Sequence, residues 1–259
     1  MKKIIHLSDL HIGYDKQNLN ERFQGILESI IFIKEPAENY IIVVTGDLVE
    51  EAINPSNHDN AKIFLDRLRS NKFNVLVIPG NHDYGTGTNA NKKYMTKFKK
   101  MFYGDENFNF PKLDIIDNIA FIGLDSMEEE LNTFDKIGAN GELGKSQRER
   151  LDELLNQEQV KNCSYRVIYL HHHPFDPRIL HELKDSKELG EILMKHGNID
   201  AILFGHNHNF RKWNGKWNIK RCYDAGSSTR KNDKPSLIRV IDLSQSPKED
   251  YDADFFWEV

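Results

Sequence analysis

Five short apolar runs in this chain end in the same kind of residue. Val75-Leu76-Val77-Ile78 leads into Pro79-Gly80-Asn81-His82-Asp83, Ile4-Ile5-His6-Leu7 into Asp9-Leu10-His11, and Ile41-Ile42-Val43-Val44 into Gly46-Asp47. Val167-Ile168-Tyr169-Leu170 leads into His171-His172-His173-Pro174, and Ala201-Ile202-Leu203-Phe204 into Gly205-His206-Asn207-His208. Runs of this length and composition read as buried strands, and in an open α/β sheet ligands bind beyond the carboxyl ends of the strands. Five strands are therefore expected to converge on one His/Asp/Asn cluster.

The order of elements supports that reading. Residues 3–7 read as a strand and Asn20 to about Lys34 as a helix with Asn20 as N-cap, followed by a strand at 41–45, a helix at 59–70 and a strand at 74–78. This alternation implies a mainly parallel sheet covered by helices, hence an α/β fold. Lys92 to Tyr103 is helical, and its five lysines read as a solvated face rather than a phosphate-attracting arm. Residues 107–124 read as short strands with a turn at Asp117-Asn118, Ser126 to Gly144 as a mobile loop, and Lys145 to Gln157 as a helix. Phe210 to Tyr223 reads as a hairpin turning at Asn214-Gly215, and Ser236–Leu243 and Asp254–Val259 as closing strands. No repeat or interdomain linker interrupts the 259 residues, so residues 1–259 are expected to form a single domain.

Composition narrows the partners. Forty acids against 35 lysines and arginines give a net charge of −5, which excludes a generic nucleic-acid binder. Cys163 and Cys222 lie far from every motif, which fits a reducing cytoplasm rather than a disulfide framework. The first residues are too short an apolar stretch for a signal peptide, and no segment approaches the length of a membrane span.

Asp, His and Asn offer oxygen and nitrogen donors without thiolate, a set suited to divalent Mn, Fe or Zn. Asp9, His11, Asp47, Asn81, His172, His206 and His208 are too many donors for one ion. With Asp47 bridging, they supply four ligands to each of two ions. Such a pair can activate a hydroxide and clamp a phosphoryl group for in-line attack, which is phosphoester hydrolysis.

The ordered series Asp9-x-His11, Gly46-Asp47, Gly80-Asn81-His82-Asp83, His172 before Pro174 and Gly205-His206-x-His208 resembles the calcineurin-like metallophosphoesterases. The likeness includes Gly141-x-Leu143-x-x-x-Gln147-x-x-x-Leu151 and spans Ile4 to about Leu243. It implies a four-layer α/β/β/α sandwich, two mixed sheets flanked by helices. It also implies one ion on Asp9, His11, Asp47 and His208 and another on Asp47, Asn81, His172 and His206. His172 is chosen because the family ligand stands two residues before the proline, with His171 and His173 as alternatives. His82 would face the substrate as a catalytic acid or charge stabiliser, with Asp83 orienting it. Tyr14, Tyr84, Asn207 and Phe175 are expected pocket neighbours.

Glu50-Glu51 stands where the serine/threonine phosphatases of that superfamily carry Asp-Arg and Pro79 where they carry an arginine, and Glu50 also stands where purple acid phosphatases carry a tyrosine ligand. The chain therefore looks like the small phosphodiesterase branch, acting on a cyclic nucleotide or glycerophosphodiester. Competing readings are a nuclease, which the opening Asp9-Leu10-His11-Ile12-Gly13-Tyr14 resembles, and a non-catalytic scaffold that keeps the fold. Oligomeric state is not written in the sequence.

Overall fold

The computed structural model describes residues 2–14, 19–129, 139–176, 183–229 and 237–254. β1 (Lys3–Leu7), α1 (Leu19–Ile31), β2 (Tyr40–Thr45), α2 (Pro55–Ser70), β3 (Asn74–Ile78) and α3 (Lys92–Tyr103) follow one another as expected. Asn20 lies inside α1 rather than capping it. α2 starts four residues earlier than its apolar periodicity suggests, because Asn54 caps it by accepting from the Ser56 amide at 3.2 Å and Pro55 suits the first turn.

β4 (Lys112–Ile116) and β5 (Ile119–Gly123) form a hairpin in which Asp117 and Asn118 both take positive φ, the geometry of a type I′ turn. α4 (Gly144–Asn156), the short α5 (Glu158–Lys161), β6 (Tyr165–Tyr169), α6 (Ser186–His196) and β7 (Ala201–Phe204) follow. β8 (Arg211–Lys212) pairs antiparallel with β9 (Arg221–Asp224), but the connection is wider than a two-residue turn at Asn214-Gly215. Trp217 draws that connection onto α6, where its ring packs against Gly190. β10 (Leu237–Ile241) and β11 (Tyr251–Asp254) close the chain. The strand expected at 254–259 lies, beyond Asp254, outside the described residues, as does the centre of the loop expected at 126–144.

The strands form two mixed sheets, ordered β11-β10-β1-β2-β3 and β4-β5-β6-β7-β9-β8. β1, β2 and β3 run parallel in the first, and β5, β6, β7 and β9 in the second. Side-chain alternation divides the first sheet between two cores. Ile4, Ile41, Val43, Leu76 and Ile78 pack with the second sheet. Ile5, Leu7, Ile42, Val44 and Val77 pack with Phe23, Ile26 and Leu27 of α1, Phe64 and Leu65 of α2 and Phe98 of α3. The second sheet's outer face is covered by Leu151 and Leu155 of α4 and Leu189 and Leu193 of α6. The result is the four-layer arrangement. Gln147 locks α4 to the end of β5 by bonding both the amide and the carbonyl of Asp125, at 2.9 and 2.8 Å.

Candidate metal centre

Parallel strands that are register-matched across a sheet end level with one another, so the loops after β1, β2 and β3 meet those after β6 and β7. Three groups of donor atoms result among the described residues, each within 4.8 Å of one another: Asp9, His11 and His208; Asp47, His171 and His206; and, sharing His11 with the first, His11, Glu50 and His82. In the first, His208 Nε2 stands 3.1 Å from Asp9 Oδ1 and 3.1 Å from His11 Nε2. In the second, His171 Nε2 stands 3.3 Å from Asp47 Oδ2 and 2.9 Å from Asn81 Oδ1, and His206 Nδ1 is 3.1 Å from the same Asn81 oxygen.

The tautomers of two of these rings follow from their far sides. His11 Nδ1 faces the Glu50 carboxylate at 3.0 Å, and His171 Nδ1 the Thr45 carbonyl at 2.7 Å. Both partners only accept, so in the neutral ring the proton belongs on Nδ1 and Nε2 is the nitrogen left to ligate. Imidazole nitrogens set this close to carboxylate and amide oxygens need a cation among them, a proton on the ring or a metal ion in its place. This donor set therefore fits divalent metal. The same crowding explains why His171, although burial opposes its charged form, is held up to about 9 by Asp47 and Asp9. Asp47 in turn is held well below the usual carboxylate range: burial opposes this, and His171 and His82 outweigh it.

Where His172 is the expected ligand, it is the alternative His171 that stands in the group with Asp47 and His206. Counting forward from β6, His171 is the first residue to clear the strand after Leu170. His172 Nδ1 lies 2.7 Å from Ser126 Oγ, its amide donates to the same oxygen, and its ring stands 4.3 Å from that of His206. His173 has its Nδ1 accepting from the Phe175 amide at 3.0 Å and its ring against Phe204 and Trp213.

His82 stands beside the first group, its ring edge-on to His11 at 4.8 Å. Its Nδ1 donates to the Glu50 carbonyl and its amide to Asp47 Oδ1, the latter at 2.9 Å. Asp83 does not orient it. The buried Asp83 carboxylate instead accepts from the amides of Leu48, Val49 and Gly80, at 3.2, 3.2 and 2.8 Å, and so pins the loops after β2 and β3 together. Burial, then Asp47, pushes Asp83 up to about 7. Its three amide donors stabilise the ionised form against that trend.

Glu50 is a functional residue that motif reading treated only as a departure from other branches. Its carboxylate fixes His11 and its carbonyl fixes His82. A second omission is the segment after β9. Ser227 Oγ donates to the Asp9 carbonyl at 2.8 Å, Thr229 Oγ1 to the Leu10 carbonyl at 2.7 Å, and the Ser228 amide to the Ser8 carbonyl at 2.9 Å. This sixth strand end clasps the loop carrying Asp9 and His11. Runs of serine and threonine carry no motif signal, so only the fold reveals the contact.

The clasp answers a need. Asp9, His11, Asp47, His206 and His208 all have φ between 47° and 72°, the left-handed region. Each such residue costs about 1–2 kcal/mol unless its surroundings hold it. Gly205 lets the loops approach: a Cβ there would lie 1.9 Å from Ser8 Oγ, and the next amide, of His206, donates to Asp9 Oδ2 at 3.1 Å.

Of the expected pocket neighbours, Asn207 bonds Asp176 at 2.6 Å, and Phe175 packs against Phe204 and Trp217. Tyr84 is instead fully buried and donates to Asp125. Of the α3 lysines, Lys99 is buried beside the Phe110 ring and Lys97 donates to the Pro55 carbonyl, which leaves Lys92, Lys93 and Lys100 exposed.

Comparison with known proteins gives concordant results. A sequence model described as calcineurin-like phosphoesterase matches residues 2–210. A 3′,5′-cyclic adenosine monophosphate phosphodiesterase, CpdA, of Haemophilus influenzae is 27% identical over 228 residues, 83% of this chain and 72% of that protein. The DNA double-strand break repair protein Mre11 of Methanococcus maripaludis is 29% identical over 126 residues, 47% of this chain and 34% of that one. Among solved structures, a dimetal phosphatase from Danio rerio superposes with a TM-score of 0.65 at 12% identity, covering 92% of this chain and 91% of its own.

Proposed function

This chain belongs to the calcineurin-like phosphoesterase family, and we propose that within it the protein is a dinuclear metal-dependent phosphodiesterase of small diesters, cyclic nucleotides first among them. The observation that carries the reading is the pair of convergent donor groups with His82 beside them. In this reading Asp9, His11 and His208 would hold one ion and Asn81, His171 and His206 the other, with Asp47 contributing to both. Oxygen and nitrogen donors without thiolate favour Mn, Fe or Zn. Two such ions, when bound, make water nucleophilic at neutral pH and neutralise charge on the phosphoryl oxygens.

The remaining work falls to the chain. Glu50 and Thr45 keep His11 and His171 in the ligating tautomer, Asp83 holds two loops in register, and His82 donates a proton from Nε2 to the departing oxygen. A diester suits the site because its five motifs contain no arginine, and a diester carries less charge than a monoester dianion. The likeness to a cyclic nucleotide phosphodiesterase over most of both chains supports the same substrate class. The Mre11 likeness covers less than half of this chain, and α3 offers no continuous basic track, so a nuclease is the second reading. We take residues 1–259 as one domain, since β10 pairs directly with β1. Two buried free cysteines suit the cytoplasm. Among the described residues no helix is long and apolar enough to cross a membrane.

The test is steady-state hydrolysis by metal-stripped protein refilled with Mn²⁺, comparing bis(p-nitrophenyl) phosphate, p-nitrophenyl phosphate and 3′,5′-cyclic AMP. Metal-dependent turnover with higher kcat/KM on the diesters is expected. A strong preference for the monoester would overturn the substrate class.

A further inference from the structure

The segment between Tyr84 and Asn91 follows the Gly-Asn-His-Asp motif and carries no motif of its own, yet it is tightly held. Its base is closed by the Asn91 amide on the Tyr84 carbonyl at 2.8 Å and by a bridge between Gly85 and Ala90, and the Ala52 amide donates to the Gly85 carbonyl at 2.7 Å. Gly87 is buried at the turn of this loop with φ +87°. A Cβ at that position would stand 2.4 Å from His82 Nε2, 2.6 Å from its Cε1 and 2.9 Å from its Cδ2. The Gly87 carbonyl accepts from Asn81 Nδ2 at 2.7 Å.

We propose that Gly87 is a positioning residue for both His82 and Asn81: its missing side chain keeps the Nε2 side of the His82 ring open, and its carbonyl turns the Asn81 amide. The two effects come from one residue. With Nδ1 committed to the Glu50 carbonyl, Nε2 is the ring nitrogen of His82 left to meet a substrate. The ring has no room to withdraw, because Glu50 holds one side and the edge-on His11 ring lies 4.8 Å away. Any side chain at position 87 therefore either displaces the imidazole or occupies the space a substrate oxygen needs. With its nitrogen held by Gly87, Asn81 presents Oδ1 rather than Nδ2 to His171 and His206, at 2.9 and 3.1 Å. An amide nitrogen there could not ligate a cation.

The catalytic half of this inference rests on the phosphodiesterase reading. In that reaction the bond from the attacking oxygen to phosphorus forms, the bond from phosphorus to the leaving oxygen breaks, and the leaving oxygen takes the proton of His82 Nε2. A nitrophenolate leaves without that proton, whereas an alkoxide needs it. Disturbance of His82 must therefore slow the second far more than the first.

The test compares Gly87→Ala, Gly87→Asn, His82→Ala and Gly104→Ala, all refilled with Mn²⁺, on bis(p-nitrophenyl) phosphate and 3′,5′-cyclic AMP. Gly87→Asn keeps the crowding but tolerates the left-handed backbone. Gly104 has φ +78° with nothing within 4 Å of its Cβ position, so Gly104→Ala measures backbone strain alone. Both Gly87 variants are expected to lose about 10-fold or more in kcat on the cyclic nucleotide, with about 3-fold or less on the nitrophenyl ester and little change in KM, as His82→Ala does. Gly104→Ala is expected to match wild type. A second readout needs no turnover: ¹⁵N imidazole spectra of the metal-free proteins should give a single Nδ1–H tautomer for His82 in wild type and a mixture in the Gly87 variants. Wild-type leaving-group dependence together with an unchanged tautomer in both Gly87 variants would overturn the proposal. If His82→Ala slows both substrates equally, the acid role of His82 falls with the reading above, and the tautomer alone decides the role of Gly87.

Discussion

His171 and His172 are adjacent in sequence and differ in surroundings. One turns its Nε2 to Asp47 and Asn81, the other its Nδ1 to Ser126. Counting back from Pro174 selects His172, whereas the donor group around Asp47 takes in His171, the first histidine after the strand. The other donors were legible because each sits at a fixed step after an apolar run. Glu50 was not, since its role depends on His11 and His82 arriving beside it from other strands. Its consequence is measurable. Glu50→Ala removes the acceptor on His11 Nδ1 and should weaken Mn²⁺ binding by about 10- to 100-fold, as loss of a partner to a ligating histidine typically does. Glu50→Gln keeps an acceptor oxygen and should lose less. Calorimetric titration checks both, and unchanged affinity in Glu50→Ala would remove Glu50 from the site's support.

At the scale of elements, α2 ties the helical layer to the motif after β3 through a single buried histidine. His58 Nε2 donates to the Asp83 carbonyl at 3.1 Å, and its ring packs against Phe98 and Phe102 of α3. Burial, reinforced by Lys97, lowers its pKa from 6.5 to about 4 despite the Asp83 carbonyl and Asp59. Between those values the unfolded chain binds a proton that the folded protein excludes, so stability rises with pH across that window and falls on acidification. The full loss by about pH 4 is worth about 3 kcal/mol. His58→Gln, which keeps a donor and cannot titrate, should flatten the dependence of the urea midpoint on pH between 6.5 and 4. An undiminished slope would assign it to other groups. No motif surrounds His58 in the sequence, because burial of one face shows in periodicity but the partner across the layer does not. The turn after β8 was misjudged for a similar reason: Asn214-Gly215 favours a tight reversal locally, and the packing of Trp217 on α6 overrides it.

Over the whole molecule, the alternation of strands and helices was legible in the apolar runs and helical spacing, while the four layers followed from the resemblance to the metallophosphoesterases. Which sheet each strand joins was not, since β1 lies between β2 and the distant β10, and the clasp from Ser227 to Thr229 comes from beyond every motif. The centre is thus assembled from segments spanning Asp9 to Thr229. It holds five donor residues in left-handed backbone and crowds imidazole and carboxylate groups against one another. Such an arrangement is stable when cations join it, so the account stands on how many ions the protein holds and through which histidine. The most direct measurement is the Mn²⁺ bound per chain at saturation, by equilibrium dialysis and elemental analysis, for wild type, His171→Ala and His172→Ala. Two ions in wild type, one in His171→Ala and two in His172→Ala are the predicted results. A single ion in wild type, or loss of an ion from His172→Ala but not from His171→Ala, would contradict the account.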